Sequence, residues 1–268
     1  MTKKTVNAKI IANTKIAEDH YIINAETNYL AQNSFPGQFV LVKVQEDTSD
    51  PLLRIPLGVH VIHKKGIRLL YKVVGRATDI LSSKKKNDKI DILGPLGNGF
   101  DLTQLLEEKN SKAIICAGGH GVAPLYALAE RIAQKKKRID FFIGARTKKH
   151  IVCAKELRKL GVKIHIATED GTRGKKGYVT SLLKEFLGQK RQNCQKRIMY
   201  ACGPKPMLSV IAKEAEKFQI PAQVSVDEYM ACGIGACLGC AIKTKTGYKL
   251  VCKDGPVFDA QEIDWRKV

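Results

Sequence analysis

No stretch of this chain approaches the roughly 20 consecutive apolar residues a membrane helix needs, although its apolar content is ordinary, 44% of 268 residues. The opening Met1-Thr-Lys-Lys-Thr-Val6 lacks the apolar core of a secretory signal. These absences lead to the expectation of a cytoplasmic protein with no membrane partner. Acidic residues are scarce: 26 Asp and Glu stand against 46 Lys and Arg, a formal charge of +20. Such a surplus raises nucleic-acid binding as a possibility. However, the lysines fall in scattered runs, Lys84 to Lys86, Lys135 to Arg138, and Lys148 with Lys149, with no aromatic residues interleaved. That pattern reads as a solvated surface, and no nucleic-acid partner is expected. Internal repeats and low-complexity linkers are also missing.

Cysteine, by contrast, is present and unevenly distributed. Cys116, Cys153, Cys194 and Cys202 are dispersed and read as small buried hydrophobes. Cys232, Cys237, Cys240 and Cys252 fall within 21 residues. In a cytosolic chain, clustered cysteines indicate metal or catalysis more often than disulfides. The spacing is C-x4-C-x2-C, then eleven residues, then a fourth cysteine. Its first three members match the plant-type 2Fe-2S arrangement. Gly233, Gly235 and Gly239 leave room for backbone to crowd an inorganic core, and backbone N–H groups can donate to the sulfurs. Structural zinc more often uses two separated C-x-x-C pairs, and a Cys237–Cys240 redox dithiol lacks a surrounding βαβ pattern.

Three textures divide the chain. Residues 1–105 carry short β-type runs with Gly and Pro punctuation, as in Gln38-Phe-Val-Leu-Val-Lys-Val44 and Ile67-Arg-Leu-Leu-Tyr-Lys-Val-Val74, which predicts an antiparallel barrel. Residues 106–222 alternate strand with helix. Strands are expected at Lys112–Ala117, Ile139–Ile143, Val162–Ala167 and Arg197–Ala201, and helices at Ala123–Gln134 and Pro206–Phe218. This alternation predicts a parallel sheet covered by helices. Residues 223–268 form a compact tail rich in glycine and cysteine, too short for a large core, in which a cluster would supply organisation.

The first α/β strand runs into Gly118-Gly119-His120-Gly121-Val122-Ala123-Pro124 and then a helix. A glycine turn there lets backbone approach a pyrophosphate, and the helix N-terminus offers free N–H groups. Gly118, Gly119 and Gly121 are the candidates, with His120 read as a loop residue beside the nucleotide. A later strand ends in Cys202-Gly203-Pro204. Two special turns in one parallel sheet can flank a ligand crevice. Arg146, ending a third strand, is a candidate phosphate contact.

Barrel, Ala117-Gly-Gly-His-Gly-Val-Ala-Pro124 and Cys202-Gly-Pro204 together resemble the ferredoxin–NADP reductase family. The tail, Met230-Ala-Cys-Gly-Ile-Gly-Ala-Cys-Leu-Gly-Cys240 followed by Cys252-Lys-Asp-Gly-Pro-Val-Phe258, resembles the electron-transfer subunits of class B dihydroorotate dehydrogenases. The resemblance implies a flavin-binding barrel holding FAD, an NAD-binding α/β domain, and a 2Fe-2S cluster on Cys232, Cys237, Cys240 and Cys252. It maps the flavin strand to Arg54, Ile55, Pro56, Leu57 and Gly58, and further flavin contacts to Leu70, Tyr71, Lys72, Ala77 and Thr78. Gly94-Pro-Leu-Gly-Asn-Gly-Phe100 matches the loop entering the nucleotide domain. Members of this subunit family commonly read Arg-Pro-x-Ser at the flavin strand. Here Arg54 stands one place early and the serine is absent, a wording similar to the small subunit of NADH-dependent ferredoxin–NADP oxidoreductase.

No base, nucleophile or acid cluster for organic substrate chemistry is evident. The resemblance therefore implies a partner, an FMN-containing catalytic subunit that oxidises dihydroorotate to orotate in pyrimidine biosynthesis, within a heterotetramer. The alternative is a flavin and iron–sulfur diaphorase subunit of a ferredoxin–NADP oxidoreductase or hydrogenase complex. A third reading is a non-catalytic redox-sensing or nucleic-acid module.

Overall fold

The computed structural model describes residues 3–45, 50–189 and 196–267. Cys194 lies outside the described residues. Six strands, β1 (Lys4–Ala17), β2 (His20–Glu26), β3 (Phe39–Lys43), β4 (Ile55–His63), β5 (Gly66–Lys72) and β6 (Lys89–Leu96), close into a barrel in the order β1-β2-β5-β4-β3-β6. Two short helices, α1 (Asn28–Asn33) and α2 (Arg76–Ser83), complete the barrel region. Alternation decides which side chains face inward, because successive strand residues point to opposite faces. Val40 and Val42 of β3 fill the barrel interior with Ile23, Leu69 and Ile92. Phe39 and Leu41, on the other face of β3, are buried too, against the α/β layer and the cysteine tail. A strand covered on both faces has to be apolar throughout, and Phe39-Val-Leu-Val42 is.

After α3 (Thr103–Glu107), the chain alternates through β7 (Ser111–Gly118), α4 (Val122–Gln134), β8 (Arg138–Ala145), α5 (Ala154–Lys159), β9 (Lys163–Thr168), the short β10 (Lys175–Lys176), α6 (Val179–Gly188), β11 (Lys196–Cys202) and α7 (Lys205–Lys217). The sheet order is β10-β9-β8-β7-β11-β12-β15, where β12 is Ala222–Ser225 and β15 is Val257–Asp259. Its pairings are parallel except β12–β15. The expected antiparallel barrel and helix-covered parallel sheet are both present. The tail is less separate than its composition suggests. β12 straddles residue 222 and β15 returns to pair with it, so the tail supplies the edge of the nucleotide sheet. A hairpin of β13 (Ala241–Thr244) and β14 (Gly247–Leu250) stands apart from that sheet.

Dispersed Cys116, Cys153 and Cys202 are buried, and burial pushes each thiol up to about 12. They are inert small hydrophobes at neutral pH. The lysine runs lie almost wholly on exposed or half-exposed positions.

Toward the N-terminal ends of the strands, Asp140 of β8 is fully buried. His165 Nε2 lies 2.7 Å from its Oδ1, and the Lys112 ammonium pairs with Oδ2. Burial opposes ionisation of Asp140, but His165 and Lys112 outweigh it and hold the carboxyl below its usual range. A carboxyl depressed in the folded state stabilises the fold above its unfolded pKa, and that contribution is lost as pH falls through the folded value. Asp140→Asn is expected to cost roughly 3 kcal/mol at pH 7, because it leaves Lys112 unpaired. The gap from wild type, followed by denaturant unfolding, should close as pH falls below about 4.

Candidate functional site: a glycine-lined crevice beside two cysteine pairs

β7 and β11 are adjacent and parallel, so the turns that follow them stand side by side at the C-terminal edge of the sheet. Their approach is close. A Cβ on Gly121 would lie 2.1 Å from the Cys202 carbonyl oxygen, and one on Gly118 would lie 2.6 Å from Met207 Sδ. Gly203 faces the same restriction, with Met207 Cε at 2.6 Å. Gly119 is different. It has φ +53° and open space where a Cβ would project, so its backbone is accessible from the crevice. Both following helices begin without a side-chain cap, α4 after Gly121 and α7 after Pro204. Uncapped first-turn N–H groups at strand ends suit a pyrophosphate. The structure thus brings Gly118, Gly119, Gly121, Cys202, Gly203 and Pro204 to one place. Arg146 is exposed at the end of β8.

The barrel meets this crevice through β4 and β5. The β4–β5 ladder runs only from Val59 opposite Leu69 to His63 opposite Gly66. Ile55 to Gly58 pair instead with β3, from Val42 to Phe39. The start of β4 and the end of β5 therefore part, leaving a seam between Ile55–Gly58 and Leu70–Lys72. Gly58 abuts the first turn of α4, since a Cβ there would meet Pro124 at 3.4 Å. The seam thus opens next to the glycine turn.

The residues expected at the flavin divide by orientation. Arg54 does not point out to a ligand. Its guanidinium forms a two-pronged ion pair with Asp91 of β6, at 3.0 and 2.7 Å. Leu57 and Tyr71 fill the barrel interior. The Tyr71 hydroxyl donates to Asn13 Oδ1 at 2.9 Å, and burial pushes its pKa up to about 12. Leu70 is buried among the α4 side chains. Thr78 Oγ1 accepts from the N–H groups of Val74 and Gly75 and donates to the Gly75 carbonyl, so it holds the turn before α2. Ile55, Pro56, Gly58, Lys72 and Ala77 keep partly exposed surface.

Two histidines stand at the junction: His120, expected beside the nucleotide, and His60, which nothing local in the sequence marks. His60 Nδ1 lies 2.9 Å from the Ala123 carbonyl oxygen, and the His120 Nε2 atom lies 3.1 Å from that of Leu70. Burial pushes both down to about 4, which makes them weak bases.

The cysteine loop connects β12 to the β13–β14 hairpin. It is pressed against the barrel, where a Cβ on Gly233 would come 2.4 Å from Leu41 Cδ1. The loop through Asn98 that leads into the α/β sheet supports the C-terminal end of the segment: the Asn98 N–H donates to the Gly255 carbonyl at 2.6 Å, and the Asn98 amide donates to those of Lys253 and Asp254. The N–H groups of Ala236 and Cys237 donate to Cys232 Sγ at 3.3 and 3.4 Å, and that of Cys252 donates to Cys240 Sγ at 3.4 Å. Backbone N–H groups, Ile234's foremost, pull the Cys232 thiol down to about 6. Burial and the neighbouring Cys240 push Cys252 up to about 12. Among the described residues, no three His, Cys, Asp or Glu side chains converge on a point where one ion would sit. The cysteines are tied in two pairs instead, since the Cys237 N–H reaches Cys232 Sγ and the Cys252 N–H reaches Cys240 Sγ. Two pairs with N–H groups aimed at sulfur fit a two-iron group better than a single tetrahedral zinc.

Comparison with known proteins agrees with this geometry. The family model for the iron-sulfur cluster binding domain of dihydroorotate dehydrogenase B matches residues 227–264, and that for the oxidoreductase NAD-binding domain matches residues 115–213. The dihydroorotate dehydrogenase B (NAD(+)) electron transfer subunit of Desulforamulus reducens is 37% identical, over 98% of this chain and 99% of that protein. Its counterpart in Geobacillus kaustophilus is 39% identical, over 92% and 94%. A solved structure of an NADH-dependent reduced ferredoxin-NADP oxidoreductase, described for flavin-based electron bifurcation, superposes with a TM-score of 0.83 at 31% identity, covering 97% of this chain and 91% of that one. Ferredoxin-NADP+ reductase from Plasmodium falciparum, at 15% identity and a TM-score of 0.67, covers 82% of this chain and 96% of that one, and shares the fold.

Gly121→Ala should force the β7 and β11 turns apart and weaken NADH binding at least tenfold, given the 2.1 Å approach. Gly119→Ala should retain the fold and cost about 1 kcal/mol through its positive φ. Thermal unfolding and NADH titration of both variants separate the two effects.

Proposed function

The chain belongs to the family of dihydroorotate dehydrogenase B (NAD(+)) electron transfer subunits, and from that premise we propose that it relays electrons between a partner's FMN and NAD+, through a 2Fe-2S cluster and FAD, in support of dihydroorotate oxidation to orotate. It is an oxidoreductase subunit whose organic chemistry takes place in a catalytic partner. The observation that carries this reading is that the two thiol pairs and the nucleotide crevice meet on one barrel, with Leu41 under the cysteine loop and Gly58 against α4. Flavin, when bound, exchanges an electron pair with nicotinamide and single electrons with an iron–sulfur cluster.

The protein's own part is to hold and separate. Residues 1–105 form the flavin unit, 106–222 the nucleotide unit and 223–268 the cluster unit. Gly118, Gly119 and Gly121 admit the dinucleotide pyrophosphate to the uncapped start of α4, and Cys202, Gly203 and Pro204 form the facing wall. Buried and protonated, Cys202 is a spacer and not a nucleophile. The β4–β5 seam takes the flavin through Ile55, Pro56, Gly58, Lys72 and Ala77. Arg54, Leu57, Leu70, Tyr71 and Thr78 shape that seam from behind. Cys232, Cys237, Cys240 and Cys252 ligate the irons, and the Ala236 and Cys237 N–H groups stabilise the Cys232 thiolate. Tyr229, Ile234 and Leu238 are exposed around the cysteines. Large apolar groups rimming a redox centre support docking of the FMN-bearing partner there. No helix among the described residues is long and apolar enough to cross a membrane. A heterotetramer in the cytoplasm is the assembly we propose.

A second reading, a diaphorase subunit serving ferredoxin, is favoured by the 0.83 superposition on the ferredoxin-NADP oxidoreductase structure. Protein purified without oxygen should show flavin bands with iron and sulfide. Mixed with the catalytic subunit, it should yield orotate and NADH from dihydroorotate and NAD+. Cys232→Ser should retain NADH-to-dye transfer while losing orotate-coupled NAD+ reduction. Zinc without flavin would overturn the proposal, and ferredoxin reduction without orotate formation would favour the second reading.

A further inference from the structure

His120 occupies the middle of the tight turn Gly119–Gly121, yet its polar contact is to the barrel and not to its own domain. Its Nε2 atom lies 3.1 Å from the Leu70 carbonyl oxygen. Leu70 sits where β5 has parted from β4, one residue beyond the last register pair, Val59 opposite Leu69. A histidine from the nucleotide turn thus takes up a carbonyl on the flavin side of the seam.

A carbonyl oxygen only accepts, so Nε2 carries the hydrogen. Burial keeps the ring neutral at physiological pH. Nδ1 therefore presents a lone pair. It is buried and finds no hydrogen-bond partner among the described residues. The neighbouring ring, His20, has its centroid 5.9 Å away. His20 cannot supply the donor: its Nδ1 lies 2.7 Å from the Glu18 carbonyl and must carry the hydrogen, which leaves its Nε2 as another lone pair. A buried acceptor without a donor is unfavourable, and in a folded protein it ordinarily marks a place where a ligand or water donates.

Resting on the FAD- and NAD-binding reading above, we propose that His120 is a positioning residue that joins the two cofactor sites, with Nε2–H tied to Leu70 and Nδ1 accepting a hydrogen bond from an N–H or O–H of a bound cofactor. Two donors have the required chemistry. One is the carboxamide N–H of the nicotinamide, and the other is a ribityl hydroxyl of the flavin. Either would draw the glycine turn and the flavin strand into one unit whose spacing is set when the cofactor binds. No other side chain of the turn bears a polar group, because its flanking residues are Gly119 and Gly121.

Two substitutions test the assignment, because each retains one nitrogen position. The side-chain amide of His120→Asn overlays Nδ1 and abandons Leu70. That of His120→Gln reaches the Nε2 position and abandons the cofactor. Binding of FAD to flavin-depleted protein and of NAD+ to the loaded complex is measured directly, by fluorescence and by calorimetry, beside KM and kcat for NADH with a dye. His120→Gln should weaken one cofactor roughly fivefold, the size of one hydrogen bond, with the loss falling on KM more than on kcat, while His120→Asn, which keeps the cofactor contact and gives up the Leu70 tie, loses less. A loss in the FAD arm identifies the ribityl donor, and a loss in the NAD+ arm with raised KM identifies the carboxamide. The reverse order, or equal effects of both variants, would show that His120 is only a structural tie to Leu70 and would overturn the proposal. Wild-type protein that binds no flavin would refute the functional reading itself, a separate outcome.

Discussion

Leu41 lies so close beneath the cysteine loop that a Cβ at residue 233 would come 2.4 Å from its Cδ1, at a φ of +65° that itself favours glycine, and the placement of the cysteines against the barrel depends on that contact. Leu41 is on β3, which the barrel needs for closure. Its outward face shares one core with Cys240, Cys252 and the residues of β11 and α7. Any movement of the cysteines relative to the barrel would have to break a close-packed apolar core, and such cores yield in steps instead of deforming smoothly. A relay among cofactors depends on separations that stay constant, so rigid elements are a better foundation for it than loops. The cysteine segment is irregular, but it is supported on three sides: Leu41 lies beneath, β12 in the sheet precedes it, and the Asn98 contacts and β15 follow Cys252.

Electrostatics in the interior follows a consistent rule. The buried or half-buried charges described above are paired, Arg54 with Asp91 and Asp140 with Lys112. The titratable groups at the junction of barrel and sheet, His60, His120 and Cys202, are pushed by burial toward their neutral forms. Lys72 stands in the seam beside these neutral groups and acts on His20 and His120, a cation suited to anionic dinucleotides. The positive excess lies on the surface, where it can draw anionic cofactors inward.

Some of this could be read directly from residue order. The spacing of Cys232, Cys237 and Cys240 is local, and the loop that folds them together spans only nine residues, so sequence alone specifies the candidate ligand set. Gly118 to Pro124 is equally local, since a strand, a glycine turn and a helix start are each set by neighbours in the chain. Other features depend on partners far away in sequence. Arg54 reads as a ligand-facing arginine until Asp91, 37 residues on, captures it. Tyr71 and Leu57 sit within expected contact segments, yet strand alternation turns both into the barrel.

The order of residues by itself determined the kinds of chemistry available: four sulfurs at cluster spacing, a phosphate-accepting turn, and a barrel followed by a parallel sheet. Tertiary structure alone decided how they combine. It parted β4 from β5 to open the seam, folded β12 and β15 of the tail into the nucleotide sheet, and carried His120 across 50 residues to the Leu70 carbonyl. The physical reason is the range of the forces. Propensity, turn geometry and ligand spacing act between near neighbours. Register, close approach and hydrogen-bond partnership are settled only when distant segments compete for the same buried space.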